Sequence, residues 1–138
     1  MQKISIEVAN KFTEPFIGKR VSRVWQGNGS AIFLEFGELT ENKGELTAMI
    51  EWSWRVENEE EIEFGSWSED SEFPVLLKKL NGLTLQRISF QSRLPELVLE
   101  LSENIWVCSF STVEGDPEWA LITPTKTMLS SKGSLGFE

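Results

Sequence analysis

Carboxylates are the reactive groups this chain carries in quantity. Five glutamates, Glu57, Glu59, Glu60, Glu61 and Glu63, fall within seven residues, and Glu69 and Asp70 follow closely. Like charges at that spacing repel one another, and a cationic partner would relieve the repulsion. The chemistry they point to is docking of a basic surface. The plainer reading is a solvated strand edge protected by charge. Paired carboxylates also hydrolyse glycosidic bonds, and Glu35 with Glu100 is the matched pair in this sequence. Each falls on the polar face of its strand, so both are read as exposed acids and an enzyme built on them carries little weight. Glu114 and Asp116 in "VEGDPEW" offer oxygens to calcium. Two acids around a glycine lack the ligand count of a calcium loop, and a turn before Pro117 accounts for them.

Other reactive types are scarce. Histidine is absent, which removes the usual general base near neutral pH and the commonest metal ligand. Cys108 is the one cysteine, so an internal disulfide is impossible. It lies in "IWVCSF" on the face shared with Trp106 and Phe110 and is read as a small core residue. There is no G-x-G-x-x-G, no phosphate loop and no G-x-S-x-G. No catalytic set, cofactor or metal is expected.

The net charge is −9, and it is uneven: residues 1–72 hold fifteen acids and seven bases, the remainder seven and six. Such a surface repels phosphate backbones, which disfavours DNA or RNA, and speeds encounter with cationic partners. Hydrophobic residues make up 40% of the 138, with six Trp and nine Phe, enough for the core of a single domain. The stretch "MQKISIEVANKF" lacks the apolar centre of a signal peptide, and no segment is long enough to span a membrane. A cytoplasmic location is expected.

The elements that must position these acids repeat. "FTEPFIGKRVSRVWQGNGSAIFLEF" (12–36) matches "LLKKLNGLTLQRISFQSRLPELVLEL" (76–101). At an offset of 64, Phe12, Phe16, Gly18, Val21, Arg23 and Val24 meet Leu76, Leu80, Gly82, Leu85, Arg87 and Ile88. After one inserted residue, Ile32, Leu34, Glu35 and Phe36 meet Leu97, Leu99, Glu100 and Leu101. Each copy reads as a short helix, a capping glycine, a strand, a turn and a second strand. "FPVLLKKLNG" gives a helix over 74–80, opened by Pro74 and closed by Asn81-Gly82. The fold expected is β-rich α+β, with antiparallel sheets built from two duplicated helix–glycine–strand–strand units. The halves span about 12–67 and 76–123 of one domain, and 124–138 forms a loose tail or a short edge strand.

Alternation supplies the other strands. "KISIEV" places Ile4, Ile6 and Val8 on one face, and "LTAMIEWSWRVE" sustains a period of two from Leu46 to Glu57. Trp52 and Trp54 then share the buried face, with their indole N–H groups bonded to carbonyls across the sheet, rather than forming a ligand cage. "ENEE" is the turn into "EIEFGSW", with Ile62 and Phe64 opposed to Glu61 and Glu63. "QGNGS" and "SEN" are hairpin turns, and "WALIT" is a late strand.

The order "FIGKRVSRV", "WSWRVENEEEIEFGSWSED", "LKKLNGLTLQRISF", "LVLELSENIWV" and "EWALI" resembles small uncharacterised bacterial proteins with the same succession of elements. The likeness spans roughly residues 16–122. Small, acidic, two-halved β-rich chains of this kind also look like immunity proteins of contact-dependent inhibition and polymorphic-toxin systems. That resemblance implies binding without catalysis: a cytoplasmic protein that caps a basic, nuclease-like toxin. It assigns no individual residue. The acids proposed to meet the partner are therefore those singled out by charge: Glu57, Glu59, Glu60, Glu61, Glu63, Glu69 and Asp70. The alternative is a β-domain that binds a small molecule in a Trp-lined cleft between the halves.

Overall fold

Ser5 opens the first helix. Its hydroxyl accepts the N–H of Val8 at 3.2 Å, and Glu7 complements the positive end of the helix. In the computed structural model, which describes residues 1–114 and 117–138, α1 runs over Ile6–Thr13. "KISIEV" is therefore not a strand; only Gln2–Lys3 is extended, as β1. The cap outweighs the alternation. Ala9 and Phe12, three apart on one helical face, turn to the core, while Ile6 and Val8 stay exposed.

The protein is β-rich, with 45% of residues in strands and 16% in helices. Strands β2 (Val21–Gln26), β3 (Ile32–Phe36) and β4 (Leu46–Ile50) form one antiparallel meander. Strands β7 (Leu85–Gln91), β8 (Glu96–Leu101) and β9 (Ile105–Ser109) form another. The chain then crosses over in both directions. β5 (Trp54–Glu57) leaves the first meander to pair with β9, and β10 (Trp119–Ile122) leaves the second to pair with β4. β6 (Ile62–Gly65) folds back on β5, and β11 (Thr127–Ser131) on β10. With β12 (Ser134–Phe137) and β1, the orders are β1-β12-β11-β10-β4-β3-β2 and β6-β5-β9-β8-β7. Helix α2 covers Phe73–Leu80, opened by Pro74 as its sequence predicts. It packs against β2, and α1 packs against β7. One hydrophobic cluster draws on both sheets and both helices.

The two meanders meet at a bridge between Arg20 and Thr84, residues 64 apart. The N–H of Gly18 donates to Leu85 O at 2.7 Å, and its counterpart, Gly82 N–H, donates to Val21 O at 2.8 Å. Val21 donates to Leu83 as Leu85 donates to Lys19. Both first strands slip register at matching places, between Val21 and Arg23 and between Leu85 and Arg87. Gly18 and Gly82 take φ of +97° and +89° with open space where a Cβ would stand. The left-handed backbone, not crowding, asks for glycine there.

Three sequence expectations are corrected. The twelve-residue alternation from Leu46 is two strands in two sheets, because both sheets face the same core and the period survives the crossing. Trp54 is 2% exposed, but Trp52 lies in the crossover and is 53% exposed. Ile62 is 56% exposed: the β5–β6 register slips after Val56, which sets Ile62 opposite Glu57 and turns it outward while Phe64 remains buried. The tail is a hairpin built into the larger sheet. Lys132 and Gly133, at φ +52° and +87°, form its turn, and Met128, Leu129, Leu135 and Phe137 are buried.

Candidate functional site

The β5–β6 hairpin carries the acids, and Asn58 fixes its tip. The Asn58 Oδ1 accepts the N–H groups of Glu60 at 2.8 Å and Glu61 at 3.0 Å, and its amide donates to Glu63 Oε2 at 2.9 Å. These bonds hold the turn while leaving the Glu59, Glu60 and Glu61 carboxylates in water. The seven proposed acids divide into two groups. Glu57 takes Arg55 Nε at 2.6 Å, and Glu63 takes Lys79 of α2, so both are matched internally. The Lys79 and Asn58 bonds hold the Glu63 carboxyl below the usual carboxylate range. Glu59, Glu60, Glu61, Glu69 and Asp70 are exposed, and no lysine or arginine among the described residues pairs with them. Trp67, 91% exposed, stands in the loop after β6, and Val75 of α2 is also exposed. Nothing in the sequence separated Trp67 from the buried Trp54.

The alternative reading placed a Trp-lined cleft between the halves, and one concavity has Trp106 in its wall and draws on residues of both. That space of about 590 Å³ opens on the outer face of the five-stranded sheet, lined by Arg55, Glu57, Glu96, Val98, Trp106 and Phe110 among others. Trp106 and Phe110 therefore face outward on and just beyond β9, not into the core. The Arg55 guanidinium lies 4.4 Å from the Phe110 ring centroid. Cys108 remains buried at the base of this space. Burial, reinforced by the Glu57 charge and opposed by Arg55, pushes its thiol up to about 12. The thiolate at pH 8 is then roughly a thousandfold scarcer than for an ordinary cysteine. Iodoacetamide should leave the folded chain unlabelled over the time that consumes free cysteine, as read by intact mass; labelling at the free rate contradicts this burial.

Glu35 and Glu100 do not come together as a pair: one is in β3, the other in β8 of the other sheet. Nor is Glu35 exposed. It is 0% exposed and accepts Trp25 Nε1 at 2.8 Å, Gly44 N–H at 2.9 Å and the Thr47 hydroxyl. Three donors offset the cost of burying the charge, so the position reads as structural. Glu100 at the matching register is only partly buried, and its carboxylate has no partner among the described residues. Glu35→Gln should cost about 1–3 kcal/mol by leaving a buried donor unpaired. Glu100→Gln should stay within about 0.5 kcal/mol. Urea midpoints measure both, and equal losses would contradict the assignment.

Among the described residues no group of three Cys, Asp or Glu side chains is placed to hold a metal ion. The proposed Glu114–Asp116 turn cannot be placed, because Asp116 lies outside the described residues. No described helix is long and apolar enough to cross a membrane. Compared with models of protein families, with curated proteins and with solved structures, the chain matches none.

Proposed function

We propose that the chain is a non-catalytic binding protein of the cytoplasm, an immunity protein that caps a basic, nuclease-like toxin domain. The observation that carries this reading is the rigid acidic tip: Glu59, Glu60 and Glu61 on a turn fixed by Asn58, without cations of their own. Glu69, Asp70 and Trp67, which follow β6 in the chain, are exposed as well. Unmatched charge steers a cationic partner, and a solvent-facing indole supplies the apolar anchor that tight interfaces require. Exposed acids beside β6, an edge strand of its sheet, also discourage strand-to-strand association, so charge there serves solubility before the partner arrives. The same reading takes the chain as a duplicated unit whose halves exchange strands. The matched register slips and reciprocal bonds around Arg20 and Thr84 support it. Duplication with exchange gives a rigid double sheet on which one hairpin is free to diverge as a docking element.

The test is growth rescue by co-expression with the toxin domain encoded beside its gene. The parent should restore growth, and the variant with Glu59, Glu60 and Glu61 replaced by Gln should restore it poorly. A parent that neither rescues nor binds that toxin overturns the reading.

A further inference from the structure

We propose that the outer face of the five-stranded sheet around Trp106 receives a cationic side chain, a lysine or an arginine, of the partner protein; this deepens the binding reading above and rests on it for the partner's identity. Strand register places Trp106 between Glu57 on β5 and Glu100 on β8, all on the outer face. Directly opposed residues on neighbouring strands lie about 5 Å apart at Cβ, so an indole flanked by two carboxylates forms a cation receptor. Glu57 already spends one oxygen on Arg55; Glu100 has no bonded partner among the described residues, with Arg87 directly opposite it on β7. Arg55 displays the mode of recognition within the chain: its guanidinium is held between a carboxylate and the Phe110 ring.

The other sheet supplies a comparison. At the matching register Thr47 stands for Trp106, Ile122 for Glu57 and Ala120 for Arg55. There Glu35 is consumed by Thr47, Gly44 and Trp25, and no receptor forms. Charge decides the sign of the ligand. The concavity is lined by Glu57 and Glu96 against Arg55, with Glu100 outside its wall, and it adjoins a groove of about 270 Å³ that shares Arg55 and Glu57 and runs to Glu59, Glu60 and Glu61. A basic chain lying along the tip groove brings a side chain to Trp106, with its methylenes against the ring and its charge between the acids.

The experiment uses the intact protein and a hexapeptide with one arginine among glycines and serines, its termini blocked. Titration is followed in ¹H–¹⁵N spectra, where the Trp106 indole N–H is assigned by its loss in Trp106→Phe. The expected result is a shift of that signal and of the Cys108 and Val98 amides, with binding weakened roughly tenfold when citrulline replaces arginine and severalfold in Glu100→Gln. Equal binding of the citrulline peptide, or an unaltered Glu100→Gln titration, overturns the receptor. Shifts confined to Glu59, Glu60 and Glu61 overturn the receptor and leave the acidic docking face standing. Shifts at Trp106 in a protein that ignores the toxin support the receptor and overturn the immunity reading. The wild-type titration needs no variant to fold, so a destabilised mutant does not decide the outcome.

Discussion

Trp54→Ala should lower the unfolding free energy by about 3–5 kcal/mol, while Trp52→Ala, two residues away, should change it by less than about 1 kcal/mol. The two indoles were equivalent in the sequence, and the crossover separates them. Trp54 packs edge-on against Phe64 at 6.2 Å and Phe73 at 5.9 Å between centroids. Its Nε1 donates to Ser30 O at 2.6 Å, so truncation removes a buried contact set and orphans a carbonyl. Phe64 belongs to β6 and Phe73 to α2, so this ring ties the acidic hairpin to the helix beneath it. For a domain of ordinary stability the loss threatens folding at 37 °C. Equilibrium urea unfolding of both variants measures it. Equal midpoints for the two would mean that the hairpin is not anchored through Trp54, and the placement of the acids would fall with it.

The alternation that misassigned Trp52 also shows which parts of the fold were legible. Turn chemistry transferred well. "QGNGS" joins β2 to β3, "SEN" joins β8 to β9 with Glu103 and Asn104 at positive φ, and Asn81-Gly82 ends α2. The matched segments carry matched register, because glycine position and hydrophobic spacing constrain the local backbone directly. What alternation cannot convey is the sheet to which a strand belongs. Leu46 to Glu57 keeps one period through a change of sheet, since each sheet turns the same face to a shared core. Capping was the stronger signal at Ser5 and the Lys132-Gly133 turn the stronger one in the tail, where alternation and small-residue composition, respectively, drew the reading elsewhere. At the site, charge located the hairpin, but ion pairing did not follow from sequence. Lys79 lies sixteen residues from Glu63, and only the packing of α2 beside β6 brings them together. Trp106 was hidden for a related reason: a large aromatic on a short strand reads as core whichever face it takes.

The acidic tip should govern the rate at which the partner arrives. Replacing Glu59, Glu60 and Glu61 by Gln removes three exposed charges with no partner in the chain, so stability should change by less than about 0.5 kcal/mol. Glu57 and Glu63 are left in place, because Arg55 and Lys79 would lose their acceptors. Encounter between oppositely charged proteins is accelerated 10- to 1000-fold by the summed field, and salt screens it within about 8 Å at physiological strength. The triple variant should therefore associate with the toxin about tenfold more slowly at low salt, with dissociation altered far less. The direct measurement is the association rate of parent and triple variant with the toxin domain, by stopped flow at low and at high salt. The account predicts a fast, steeply salt-dependent parent, a slow and nearly salt-independent variant, and rates that converge at high salt. Equal rates for the two at low salt would contradict it and leave Glu59, Glu60 and Glu61 as a solvated strand edge.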